Sequence, residues 1–325
     1  MTMNTKIIIV FGALLCVAAN IVVKHAGLPE AKVTVRVVDE AQTPISGVNV
    51  RLGFQDKFDP RKDIKVQGLT DNEGLFIGQG GSDSVVGSSL RMQGYYNGSA
   101  PIPTFHDADE VSYQWLPWNP TIVTVLRKID KPIPMCAKRA WVEIPVIGEP
   151  CGYDLAVGDW VVPYGQGQKS DLVFKLKREY ETRQKFNVSV DISFSNEGDG
   201  IQSVEIPKEW KNSDFIWPRF APESGYEPTL NAHFMGTAGS SYQGNVKDDQ
   251  MYFFRVRTVK RNNQIFSALY GKIRGGLKLA PMDSKTCEVQ LTYYLNPTSL
   301  DRNMEWDQKQ NLLKGLSWEE TPRDP

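Results

Sequence analysis

Histidine and cysteine are scarce in this chain: three His (His25, His106, His233) and four Cys among 325 residues. A catalytic zinc site takes three protein ligands, often two of them within one short motif, and neither a His-x-x-Glu nor a His-Glu-x-x-His pair occurs. The sequence therefore implies no metal and no cofactor. An excess of either charge is missing too, with 37 Lys plus Arg against 38 Asp plus Glu and a net charge of -1. A general nucleic-acid binder needs a basic surplus, so no nucleic-acid partner is expected. No internal repeat stands out. What is present, 41% hydrophobic and 10% aromatic residues, describes an ordinary globular protein of about two domains.

One long apolar run stands at the N-terminus. Ile7 to Val23 (IIIVFGALLCVAANIVV) carries no charge, follows the basic Lys6 and precedes Lys24 and His25. Such a run predicts a membrane-targeting segment within residues 1–30, either a signal peptide or an uncleaved anchor. Val17 and Ala19 provide the small residues a signal peptidase needs three and one positions before a cut, leaving Asn20 first. Leu15 before Cys16 is too large for a lipoprotein site. The expected location is the periplasm, the cell surface or the inner membrane, with membrane contact only through this segment. An oxidising compartment permits one disulfide, and Cys136 with Cys151, 14 residues between them, is the nearest pair; closing that loop is worth roughly 3 kcal/mol. Three unpaired, buried thiols are the alternative.

Beyond residue 31 the dominant period is two. Lys32 to Val38, Val48 to Phe54 and Phe186 to Phe194 alternate apolar and polar side chains, as strands with one wet face do. Further strands are expected at Thr121–Leu126, Asp171–Leu176, Met251–Val259, Ile265–Ile273 and Val289–Tyr294. Asp71-Asn-Glu-Gly74 and Asn262-Asn263 supply turns between them. Strands following strands without helical spacers predict an all-β chain of two antiparallel sandwiches, one at 31–128 and a larger one at 129–315, parted by the prolines of Lys128 to Pro134. One short C-terminal helix is expected over Asn303–Lys314, stopped by Gly315, and residues 316–325 read as a polar, frayed tail.

Three strings, Val33-Thr-Val-Arg-Val-Val-Asp39, Gln42-Thr-Pro-Ile-Ser-Gly-Val-Asn-Val50 and Gly68-Leu-Thr-Asp-Asn-Glu-Gly-Leu-Phe76, resemble the carboxypeptidase regulatory-like domain. The resemblance covers about residues 31–128. It implies a prealbumin-like, or transthyretin-like, sandwich that serves as a folding or docking attachment and has no catalytic role. Related 5-hydroxyisourate hydrolases depend on histidines and a C-terminal Tyr-Arg-Gly-Ser, whereas this chain ends Thr-Pro-Arg-Asp-Pro, so their activity is not expected. The segment 129–315 resembles no family we can name.

Chemistry-bearing patterns are weak. His106-Asp-Ala-Asp-Glu110 lacks the glycine-punctuated spacing of a calcium loop. Gly239-Ser-Ser-Tyr-Gln-Gly244 misses the hydrolase elbow because its second glycine is one residue late. Gly78-Gln-Gly-Gly-Ser-Asp83 has Asp where a dinucleotide fingerprint needs Gly. Lys175 to Lys185 mixes five basic residues with Glu179 and Glu181, as a charged hairpin tip does. Aromatics are the remaining resource. Trp115 and Trp118 lie among prolines, and Trp160 lies near Pro163; these three are the candidate ligand-binding residues, by stacking on sugar rings or anchoring a protein, with packing of the sandwich ends as the other role open to them. The expected function is that of an exported or membrane-anchored, non-catalytic envelope protein binding another protein or a carbohydrate. A secreted hydrolase of envelope or extracellular polymer and an architectural envelope component are the alternatives.

Overall fold

The structure is a computed structural model that describes residues 27–282 and 285–325; the expected targeting segment lies outside them. The chain is all-β. Its first six strands are β1 (Glu30–Val38), β2 (Asn49–Phe54), β3 (Ile64–Leu69), β4 (Leu75–Gly81), β5 (Val86–Arg91) and β6 (Thr121–Val125). They form two three-stranded sheets, β4-β1-β6 and β3-β2-β5. The alternation seen in the sequence sorts the side chains: Val33, Val35 and Val37 meet Val50, Leu52 and Phe54 in a shared core, each buried chain contributing about 1.5–3 kcal/mol. The Asp71 turn closes as its residues dictate. Asp71 Oδ1 accepts the amides of Glu73 and Leu75 at 2.9 and 2.8 Å, while Gly74 takes φ +74°.

Twelve strands follow: β7 (Ile133–Glu143), β8 (Pro150–Asp154), β9 (Asp159–Trp160), β10 (Leu172–Thr182), β11 (Lys185–Ser193), β12 (Gly200–Val204), β13 (Thr229–Gly236), β14 (Gln243–Gly244), β15 (Met251–Arg261), β16 (Gln264–Ala280), β17 (Glu288–Asn296) and β18 (Trp306–Asn311). Two six-stranded sheets result, β14-β13-β11-β10-β8-β9 and β12-β15-β16-β17-β7-β18. Phe186, Val188, Val190 and Ile192 of β11 pack against Val256, Ile273, Leu291 and Tyr293 of the other sheet. Asn262 and Asn263, at φ +51° and +60°, make the two-residue turn from β15 to β16. The second sheet is also buried over part of its outer face. There Phe215, Trp217 and Ala221 pack with Phe253 and Tyr270, and Met135 and Ala137 pack with Tyr294 and Trp306.

Three expectations are corrected. Residues expected to form a C-terminal helix instead hold the strand β18 and the extended stretch before it. Helix-forming residues lose here to tertiary bonds: buried Glu305 accepts the amides of Asp130 and Lys131 at 2.9 and 2.7 Å, and Asn303 Nδ2 donates to Lys131 O at 2.7 Å. Not every pair is antiparallel, since β6 runs parallel to β1 and β18 parallel to β7. The tail is not frayed: Pro322 is buried, and Arg139 N donates to Glu320 O at 2.7 Å.

The two stacks are joined by buried charge. Arg127, two residues past β6, is almost wholly buried and donates to Glu40, to Phe215 O and to Trp217 O. Arg219 Nη2 reaches the other oxygen of Glu40 at 2.7 Å and Lys128 O at 2.7 Å. Tyr96 of the smaller stack donates to Glu305 at 2.8 Å. The connecting residues are thereby bonded on both sides.

Candidate functional site

The strongest meeting of titratable groups inside the larger sandwich is a clamp. Arg257, at φ +56° where β15 bulges, donates Nε and Nη2 to the two oxygens of Asp171 at 2.7 Å each, and Nη2 to Asp154 Oδ1 at 2.8 Å. Asp154 also accepts the amides of Ala156, Val157, Gln168 and Lys169, which fixes the loop between β8 and β10. Burial opposes its ionisation, but these amides and Arg257 outweigh it and hold the carboxyl below the usual range. Burial of Asp171 wins over the same arginine and pushes its carboxyl up. A raised carboxyl suits a general acid only if substrate reaches it, and the Asp171 side chain is 1% exposed under the guanidinium. The arrangement holds two sheets together.

The residues singled out by sequence are scattered. Trp160 is buried, edge-on to Tyr153 and Phe174 at 5.2 and 5.3 Å, so its ring has no face open to a ligand. Trp115 is half-buried, its indole N–H donated to Ser82 O at 2.8 Å. Trp118 is half-buried with Lys32 Nζ 5.9 Å from its ring centre. Cys136 on β7 and Cys151 on β8 belong to opposite sheets, and both are free and buried, as is Cys287, which is the second of the two arrangements the sequence left open. Asp109 of the acidic loop caps the amides of Val111 and Ser112. Among the described residues no group of three or more His, Cys, Asp or Glu is placed to hold a metal ion. Gly239-Ser240-Ser241 is an exposed turn. In the basic stretch Lys177 pairs with Asp191 and Lys185 with Glu181, as solvated hairpin charges do.

A groove of about 960 Å³ crosses the open part of the outer face of the second six-stranded sheet. Trp141 of β7 and Trp318 of the tail both line it, and they are 64% and 74% exposed. Glu288 on β17 accepts the Trp141 indole N–H, and the Arg323 guanidinium lies 4.0 Å from the Trp318 ring centre. The tail builds one wall. It hydrogen-bonds β7 through Glu320 O, accepts Tyr294 Oη at Asp324 O (3.0 Å), and sets Asp324 Oδ2 3.0 Å from Arg274 Nη1. Part of the charge along the groove is paired, Lys278 with Asp248 at 3.0 Å and Glu320 with Lys138 at 3.0 Å, and the basic and acidic residues of the lining nearly balance. The Ser317 amide, joined by Lys138, holds the Glu320 carboxyl below its usual range. The result is a near-neutral trough with two accessible indoles and hydrogen-bonding groups such as Gln290 and Thr292.

Sequence reasoning missed both tryptophans. Trp141 occupies an outward position of a strand whose neighbours Met135 and Ala137 are buried on that same face, which hides the alternation. Trp318 stands in a tail read as solvated. No protein-family model and no curated protein matches this chain.

Proposed function

We propose that the protein is a non-catalytic binding protein of the cell envelope, and that its ligand is a neutral carbohydrate lying in the groove between Trp141 and Trp318. The observation that carries this reading is the exposure of two large indoles in one groove whose lining is close to neutral. Flat apolar rings edged by amides and guanidinium groups suit the apolar faces and hydroxyl rims of sugar rings. The apolar run Ile7–Val23 supports export or anchoring. The resemblance of residues 31–128 to a regulatory-like attachment agrees with a role in docking. A hydrolase would gain support from a carboxyl kept protonated in the groove, and Glu320 is shifted the other way.

Affinity electrophoresis of the full-length protein through gels containing neutral polysaccharides tests the reading. Retardation by at least one glycan is expected, lost in Trp141→Ala and Trp318→Ala with unchanged thermal midpoints. Migration unaffected by every glycan, or retardation that survives both substitutions, overturns it.

A further inference from the structure

We propose that the smaller sandwich rests one end on a lipid surface, with Phe58, Val111 and Leu116 dipping into the interface. The inference rests on the reading that residues 7–23 hold the protein at a membrane, and it adds a second contact to that segment.

The three side chains belong to loops stitched together where β1 begins. Lys57 N donates to Asp83 Oδ2 at 3.1 Å and Asp83 N to Gln55 O at 2.9 Å, tying the Phe58 loop to the turn after β4. Ser82 N donates to Pro29 O at 3.0 Å, and the Trp115 indole donates back to Ser82 O. Glu30 N reaches Tyr113 O at 2.9 Å, Trp115 N reaches Glu30 O at 2.8 Å, and Tyr113 Oη donates to Gly27 O at 3.0 Å. Phe58, Val111 and Leu116 project from this assembly 79%, 88% and 42% exposed. Exposed apolar residues are ordinary, and Leu69, Ile77, Ile102 and Val123 of the same sandwich are exposed as well, but these three stand on loops bonded to one another at one end.

Chain length says what covers them. Four residue steps separate Val23 from Gly27, so Gly27, bonded to Tyr113 beside these loops, stays within about 15 Å of the end of the apolar run. With that run in a bilayer, this end of the sandwich faces the headgroups. The larger sandwich lies at the opposite end of β1, joined through Glu40, so it does not shield these loops. Charge is not the attraction. Lys57, Arg61 and Lys62 are offset by Asp56, Asp59 and Asp83 and outnumbered once Asp107, Asp109 and Glu110 are added. Contact driven by apolar insertion needs no anionic lipid and is insensitive to salt.

The full-length chain carrying Cys16→Ser, with Phe58→Cys, Val111→Cys or, as a control in the larger sandwich, Ser240→Cys, is labelled with an environment-sensitive fluorophore and reconstituted into phosphatidylcholine vesicles. The expected result is flotation with the vesicles, blue-shifted emission at 58 and 111, and quenching there by nitroxide-labelled lipid about twofold or more above that at 240, unchanged in high salt. Flotation with labels at 58 and 111 as wet as at 240 overturns the inference and leaves the anchoring reading standing. Blue-shifted labels that lipid does not quench mean that protein covers this end, which also overturns it. Failure to float overturns the inference together with the reading beneath it.

Discussion

Arg127 donates Nε and Nη2 to a single oxygen of Glu40, at 2.9 and 2.7 Å, while its Nη1 spans the carbonyls of Phe215 and Trp217 at 2.9 and 2.6 Å. One guanidinium thus serves the loop after β1, the end of β6 and the segment covering the outer face of the larger sandwich. Arg127→Met should lower unfolding free energy by about 3 kcal/mol, at the low end for breaking a buried pair because Glu40 can turn toward water. Urea denaturation of both proteins measures it, and a loss under about 1 kcal/mol would show the link to be dispensable.

Acid should weaken the same junction. Burial works against ionisation of Glu40, but its bonds from Arg219 and Arg127 outweigh this and hold the carboxyl below its ordinary value of 4.5. The folded state therefore binds the proton less readily than the unfolded one. The contribution is complete above the ordinary value and disappears as pH falls through the lowered folded value. The urea midpoint of the wild type should exceed that of Glu40→Gln at about pH 7, and the gap should narrow as pH falls through the lowered folded value. A gap independent of pH would exclude Glu40 as its source.

Asp154→Ala removes the acceptor shared by four amides and Arg257. The expected cost is about 3 kcal/mol. Hydrogen exchange should accelerate at Ala156, Val157, Gln168 and Lys169 while β1 and β4 stay protected. Equal acceleration in both sandwiches would contradict a local role.

Gly74 and Gly47 provide a paired test of backbone fit. Both have positive φ, but a Cβ at Gly74 would lie 2.4 Å from Val37 O, whereas one at Gly47 meets nothing within 4 Å. Gly47→Ala should cost about 1 kcal/mol for conformation alone, and Gly74→Ala about 3 kcal/mol once the clash with β1 is added. Similar costs in thermal melts would refute the close approach.

The cysteines should be inert in the folded chain. Burial pushes Cys136 and Cys151 up to about 11 and Cys287 up to about 12. At pH 8 a disulfide thiol reagent should leave these three untouched until denaturant is added, and reduction should not alter the unfolding midpoint. A mass difference of one Cys136–Cys151 bridge between oxidised and reduced protein would reverse this.

Strands with one wet face were readable because period two survives wherever one side of a sheet stays in water, as in β1, β2 and β11. The same rule failed where the outer face of a sheet is buried too: Met135, Ala137 and Trp306 are apolar on a side that ordinary patterning assigns to solvent. Asn303 to Asn311 has helix-forming residues, and only the distant amides of Asp130 and Lys131 explain why Glu305 belongs to an extended segment. Trp115, Trp118 and Trp160 drew attention through neighbouring prolines, a local cue. The groove depends on the tail crossing β7 and β17, a contact between segments far apart in the chain. No window of sequence contains it.

The bonded connection between the sandwiches has a mechanical meaning. With Arg127 and Arg219 on Glu40, and Glu305 holding the amides of the connecting residues, the chain has no slack joint at its middle. In the proposed function, a pull on a ligand beside Trp141 would be delivered along β1, nine residues or roughly 30 Å, to the loops at its far end. The proposed function thus calls for a stiff lever with a fixed stand-off rather than a bead on a string.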